Sequence, residues 1–459
     1  MGIDDRIFTN GKIGKTLFKF AVPSVISLLV AELYNLVDTI FVGRYINSKA
    51  IGALTIAFPI QRFLIALGLL IAVGTSTMVA RSLGEKNYDN LKKGIISAFS
   101  LTLIVISIVT FTIFIFKKPI IISLGASENI YPLANSYISI VLMGAVFQCL
   151  GVVASYIMTA LGNTKITLQG NLIGAIANII IDYLLVVVFK IGIEGAAIAT
   201  VISQILSFTF IFYKFSYIRK AFNIKLKFKL SNKLAWTIIT VGFSTFIVEI
   251  SDAVIAAMLN NLLYAEGGDA AVITVGVVTK LSMFMYITII GISAAMQPII
   301  AYNYGASNFK KMREALRISI ITIVTASLGF WAIFMIFAKP MIGFFLTDAA
   351  ILPEAIKAFR ICILLLPAIS IEYITIYYYQ AIGESKKSFL LSIFRQLVVF
   401  IPVAFILIKK IGVMGAWIAY PVADVIAFVT AVYFIRRATE EIEEEVEMFQ
   451  DQDKSLAKA

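Results

Sequence analysis

The sequence contains no histidine. That absence removes Ser-His-Asp and Cys-His catalytic arrangements, imidazole metal sites and histidine proton relays together. Cysteine is nearly as scarce. Cys149 and Cys362 each lie in a long apolar run, where cysteine acts as a small core residue and not as half of a disulfide. Charge is thin: 14% of the 459 residues are charged and 60% are hydrophobic. Soluble domains carry about 25% charged residues, so a soluble globular protein is excluded. A nucleotide loop is missing too. Residues 11–16 read GKIGKT, but the place for the first glycine of a phosphate loop holds Thr9, and no strand precedes it. The polar start, MGIDDRIFTNGKIGKTLFKF, shows no small-residue cleavage site. It predicts no removable signal peptide, with the first apolar span serving for insertion. An intramembrane enzyme would have no nucleophile–base pair and no metal-ligand spacing to rest on.

Long apolar runs are abundant. Twelve of them read as spans, roughly 16–43, 51–80, 94–116, 130–160, 167–189, 193–213, 234–264, 270–300, 315–338, 354–382, 388–408 and 412–435. About 20 residues cross a hydrocarbon core of about 30 Å. The net charge of +12 belongs to orientation and not to nucleic acid. With the N-terminus inside, the cytoplasmic segments hold 26 Lys and Arg, the outer segments (with the start of span ten) 10 and the membrane 3. That bias predicts a multi-pass inner (plasma) membrane protein with both termini cytoplasmic.

The chain repeats itself. ALGNTK at 160–165 returns as AIGESK at 381–386, an offset of 221. SLGEKNYDNLKK (82–93) matches NYGASNFKKMRE (303–314) at the same offset, pairing Gly84 with Gly305 and Asn87 with Asn308. IGIEGAAIA (191–199) matches IGVMGAWIA (411–419) at 220. Six spans is an even number, so the two halves enter the membrane the same way round, as parallel repeats with a substrate site expected between them. The expected fold is an all-α polytopic membrane protein of twelve transmembrane helices in two parallel six-helix lobes. The N-terminal lobe is read as 1–222, the C-terminal lobe as 223–437 and an acidic cytoplasmic tail as 438–459. The joint alternates Ile224, Leu226, Phe228 and Leu230 with Lys225, Lys227 and Lys229, a pattern suited to lying along an anionic leaflet or to a plain linker. In the tail, Ile442, Val446 and Phe449 at helical spacing predict a short helix.

Charges inside the spans carry the chemistry. Away from the span ends there are seven acids, Glu32, Asp38, Asp182, Glu249, Asp252, Glu372 and Asp424, against three bases, Arg62, Lys280 and Arg395. A carboxylate at the centre of a spanning helix costs about 2.5–3.5 kcal/mol, so such groups face protein or a wet cavity. Excess acid favours a cation as substrate, coupling ion or both. Asp38 shares a helix face with Tyr34, and Asn35 lies beside it; Asn178 and Asp182 share a face of span five. With Thr200 on span six they offer oxygen ligands for an alkali cation, or a carboxylate pair that holds one proton because both cannot ionise cheaply. Packing and hydrogen bonding alone would also account for them. Glu249 and Asp252, three apart, have Lys280 as a candidate partner, so a structural ion pair competes with a cavity role. Glu372 beside Tyr373 could hold a cation by charge and ring faces, or be ordinary packing. Pro23 removes a backbone bond in span one and is a candidate bend.

These features resemble the multidrug and toxic compound extrusion (MATE) transporters over about residues 10–440. The resemblance rests on two six-span halves, on Pro23, Tyr34 and Asp38 spaced as P–x10–Y–x3–D, and on the repeated loops at Gly84 and Gly305. Asn178, Asp182 and Thr200 resemble the DinF-like branch. Glu249 resembles a span-seven acid of the NorM-like branch, whereas Glu372 departs by about one position from that branch's span-ten acid. The resemblance implies a secondary antiporter that exports lipophilic, mostly cationic compounds in exchange for Na⁺ or H⁺ by alternating access. Asp38, Asn178, Asp182 and Thr200 would form the coupling site, and the Na⁺ site if sodium couples. Tyr34, Asn35, Glu249 and Glu372 would line the substrate cavity, with Pro23 as hinge. It implies no cofactor beyond the coupling ion, contact with membrane lipid, no nucleic acid and no obligate protein partner, hence a monomer. The alternative is a lipid-linked oligosaccharide flippase of the same superfamily, but seven intramembrane acids against three bases argue against a pyrophosphate cargo.

Overall fold

The computed structural model describes Phe8 and residues 12–46, 48–225, 227–346 and 351–456, with the side chains at 35, 36, 48, 269 and 449–456 outside that description. The described chain is helical, and its helices are long because few polar groups interrupt them. The spans are α1 (Ile13–Tyr45), α2 (Ser48–Gly84), α3 (Tyr88–Ile115) and α4 (Tyr131–Ala160). Next come α5 (Thr164–Asp182, continued by a π-helical turn over Tyr183–Val188) and α6 (Ile193–Ala221). Asn232–Gly305 runs on as α7 and α8, parted at Gly268, whose φ of 61° breaks the helix. Then follow α9 (Phe309–Ile336) and α10, two pieces (Leu352–Cys362 and Leu366–Ile382) bent by 45°. The last are α11 (Ser385–Ile411, with a π turn over Phe394–Phe400) and α12 (Val413–Leu456). Eleven of these are long and apolar enough to span a bilayer, and the bent pair of α10 completes twelve. The fold is the expected all-α membrane architecture. Large apolar side chains stand exposed along its sides, as on α3, where Ile108, Phe111 and Ile115 point outward. That is the arrangement a lipid solvent favours.

The sequence repeats are repeats of backbone geometry. Asn87 caps α3 by accepting from Asn90 N (3.1 Å), and Asn308 caps α9 by accepting from Lys311 N (3.2 Å). The preceding residues, Lys86 and Ser307, take φ of 55° and 53°. The turns close identically, with Asn87 N donating to Ser82 O and Asn308 N to Asn303 O, both 2.9 Å. At the α4–α5 and α10–α11 turns, Gly162 and Gly383 have φ of 84° and 83°, a left-handed conformation that favours glycine. A short helix follows the third span of each half, Lys117–Ser123 and Ala338–Phe345. At the exposed start of α3, Lys93 beside Asp89 (2.6 Å) holds that carboxyl below its usual range.

Two compact units make up the chain. One holds Ile26–Glu249 with Met1–Thr9, the other Asn10–Val25 with Ile250–Ala459. Thus α1 passes from the second unit to the first at Val25–Ile26, and α7 passes from the first to the second at Glu249–Ile250. Within the first unit, the early part of α7 packs on α2 backbone to backbone: Gly74 faces Ile238, and Gly242 faces Leu70, with no room for a Cβ. Within the second, Gly291 of α8 meets Val25 of α1. Close approach through glycine is how helices gain packing in a solvent as apolar as their side chains.

Two connecting segments take definite form. Lys229 N and Ser231 N donate to Ser100 Oγ and Ser97 Oγ of α3, both 3.2 Å, while Ile224 is buried and Phe228 is exposed. Leu226 lies outside the described residues. The acidic tail is no separate short helix. It continues α12, because Glu, Gln, Met and Lys are strong helix formers and no glycine or proline intervenes. Ile442 and Val446 are buried along it, and Arg313–Glu443 (3.5 Å) and Lys387–Glu441 (3.6 Å) tie it to the ends of α9 and α11. The side chain of Phe449 lies outside the description.

Candidate functional site

In the first unit, three helices bring four of the singled-out side chains into one buried polar group. Asp38 comes from α1, Asn178 and Asp182 from α5, and Thr200 from α6; all four are buried, Asn178 and Asp182 completely. The carboxyl groups of Asp38 and Asp182 lie against each other. Asp38 Oδ1, both Asp182 oxygens and both amide atoms of Asn178 are buried without a hydrogen-bond partner. Buried polar groups are ordinarily satisfied, and each exception calls for a cause. Among the described residues no ion pair to a lysine or arginine reaches either aspartate. Thr200 donates to Ala196 O of its own helix (3.0 Å), a bond that leaves its lone pairs available.

Two further residues join this group. Tyr137 of α4 is buried and lies beside Thr200 and Asp38. Gln61 of α2 donates to the Tyr137 hydroxyl at 3.5 Å. Neither stood out in the sequence, since a tyrosine or glutamine in a span is ordinary; the only signal was a polar residue inside an apolar run. The π turn that follows Asp182 inserts a residue there, and such insertions are frequent at functional sites.

Toward Pro23 on the same helix, Tyr34 stands in the fields of both Asp38 and a second cluster. There Arg62 of α2 lies 3.6 Å from Glu32 and 3.9 Å from Glu249, each about a quarter to a third exposed. The ion-pair partner of Glu249 is therefore Arg62, and not Lys280 as the helix spacing suggested. Two spans had to be brought together to reveal it. Asn35 has its side chain outside the description. Pro23 lies in α1 two residues before that helix changes units.

The second unit buries a different network. Arg395, in the π turn of α11, places Nε 3.2 Å from Asp424 Oδ1 and 3.6 Å from Glu372 Oε2, and its Nη2 donates to the Tyr286 hydroxyl at 2.8 Å. Beside it, Gln396 Nε2 donates to Asp252 Oδ1 at 2.7 Å. Glu372, expected to face a cavity, is buried against a guanidinium, with Tyr373 packed on Tyr286. Asp252 parts company with Glu249, which is bound in the other unit.

Chemically, then, the first unit offers carboxylate, amide and hydroxyl oxygens with no fixed positive charge among them. The second offers carboxylates already met by arginine. A family model described as MatE matches residues 23–184 and 240–406. The multidrug export protein MepA of Staphylococcus saprophyticus is 28% identical over 94% of this chain and 95% of its own length. A solved structure of MATE in the straight conformation is 26% identical, with a TM-score of 0.89 over 96% of this chain and 99% of that one. Another, in the bent conformation, is 25% identical with a TM-score of 0.90 over 97% and 99%. With two matched stretches covering most of both halves, and whole-chain likeness in sequence and structure, the chain belongs to the MatE family of membrane transporters.

Proposed function

We propose that this protein is a secondary active multidrug efflux antiporter, exporting lipophilic, mostly cationic compounds in exchange for Na⁺ or H⁺. It is a transporter and not an enzyme, and as a member of its family it needs ion coupling and no cofactor. The observation that carries the coupling role is the pair Asp38 and Asp182, buried with Asn178, Tyr137 and Thr200 and paired with no base. Two such carboxylates held together accept one cation: a proton shared between them, or a sodium ion ligated by carboxylate, amide and hydroxyl oxygens. Cation entry from outside fills this site and alters α1, which carries Asp38, Tyr34 and Pro23 in one helix. Drug affinity falls, the drug leaves, and the cation is released inward as the cavity reopens to the cytoplasm. Tyr34, Asn35 and Glu249 serve as the substrate-facing groups of this reading; Glu372, buried against Arg395, does not. Pro23 serves as hinge, which suits a family solved in a straight and a bent conformation.

The setting is the plasma membrane, with both termini cytoplasmic, lipid along the exposed apolar sides and a monomer as working unit. The lobes are 1–222 and 223–437, with 438–459 as cytoplasmic tail. The flippase alternative is set aside, since the relatives are named as multidrug exporters. The test is dye efflux from proteoliposomes under an imposed Na⁺ gradient and then an imposed pH gradient. Wild-type protein is expected to respond to one of them, and Asp38→Asn to neither, at equal reconstitution. Undiminished gradient-driven efflux by Asp38→Asn would overturn the assignment.

A further inference from the structure

The two units treat their buried acids differently. Positions 221 residues beyond Asp38, Asn178 and Asp182 hold Leu259, Val399 and Val403, so the repeat has not carried the first unit's acidic group into the second. The second unit has instead Asp252, Glu372 and Asp424, on α7, α10 and α12. The guanidinium of Arg395 sits between two of them, 3.2 Å from Asp424 and 3.6 Å from Glu372. It is 8% exposed and held by the Tyr286 hydroxyl at 2.8 Å. Gln396, the next residue in the same π turn, occupies Asp252. Arginine does not release its proton in proteins, so the positive charge in this place is permanent. A mobile cation entering between Glu372 and Asp424 would meet that charge at a few ångströms in a poorly screened interior.

We infer that Arg395 is a resident, covalently tethered cation that fills the place between Glu372 and Asp424, so that the second unit exchanges no coupling ion. One cation, bound in the first unit, then drives each cycle. This rests on the antiport reading for its consequence, but the occupancy of the second unit can be read by itself. Arg395 is a specificity-determining residue in this sense: it sets how many ions couple, and without it the acids it leaves would take up a proton or Na⁺.

The experiment counts cations bound by purified, lipid-reconstituted protein. Na⁺ is measured by equilibrium dialysis with radioactive sodium, and protons by uptake in weakly buffered solution. Wild type is expected to bind one equivalent, Asp38→Asn none, and the double variant Asp38→Asn/Arg395→Gln to regain one. Asp38→Asn/Arg395→Lys, which keeps a tethered charge, is expected to stay at none. Asp424→Asn alone is expected to keep the wild-type count, because Arg395 still faces Glu372. A wild-type count of two that drops by one in Asp424→Asn would overturn the inference, and so would no gain on Arg395→Gln in folded protein. If Arg395→Gln does not assemble, the Asp424→Asn count decides. If Asp38→Asn keeps the wild-type equivalent, the coupling role of Asp38 fails, whereas the difference made by Arg395→Gln over its parent still reads the second unit.

Discussion

The hydroxyl of Tyr137 on α4 accepts from Gln61 of α2 and lies beside Thr200 of α6 at the acidic group. Tyr137→Phe removes that hydroxyl and keeps the ring. A lost hydrogen bond near a charge is worth about 1.5 kcal/mol, a factor of roughly ten. The expected outcome is a rise of about tenfold in the coupling-ion concentration for half-maximal efflux, with the maximal rate little changed. An unchanged ion dependence would show that the hydroxyl only packs. Residues differ in how legible they were. Asp38, Asn178 and Asp182 announce themselves because charge and amide are costly in an apolar run and their helical spacing gives the face. Tyr137 does not, since tyrosine is at home in a span and only the folded contacts give it a role. Lys280 shows the opposite error, in which spacing along neighbouring helices supplied a partner for Glu249 that a base from α2 had taken.

Helices α1 and α7 each change unit part-way, and before its change α7 is held on α2 by close backbone contact. At Gly242 a side chain has no space against Leu70 of α2. Gly242→Leu is expected to part the two helices, with an overpacking cost of about 1–3 kcal/mol. The check is thermal unfolding in detergent, where the melting temperature should fall while Phe228→Ala, at an exposed side chain, leaves it unchanged. Pro23→Ala acts on the same principle in α1. Restoring a backbone donor straightens and stiffens a helix that proline bends, so drug binding is expected to persist while gradient-driven efflux slows several-fold. Loss of binding together with efflux would instead place Pro23 in the drug site. The elements themselves were readable because hydrophobic length, glycine turns and the Asn87/Asn308 caps recur at one offset. The π turns were not, since they leave hydrophobic periodicity almost untouched and are seen only when Asp182 and Arg395 are found beside them.

For the whole molecule, charge traffic follows from which buried acids lack a fixed partner. If one cation enters per drug expelled, export of a monovalent cationic dye moves no net charge, while export of a neutral dye carries one positive charge inward. A membrane potential of 100 mV does about 2.3 kcal/mol of work on one charge, equivalent to about a 50-fold drug gradient. Proteoliposomes clamped by potassium and valinomycin separate the cases. Efflux of the neutral dye, under a fixed ion gradient, should speed up when the drug-containing side is made negative. Efflux of the cationic dye should be indifferent to the clamp. Two coupling cations would make the cationic dye respond as well, which would mean that the arginine between Glu372 and Asp424 leaves room for a second ion. The composition of the chain already hints at this arithmetic, with seven acids against three bases in its spans away from their ends. The fold decides it by spending two of the bases on Glu32, Glu249, Glu372 and Asp424, and none on Asp38 and Asp182.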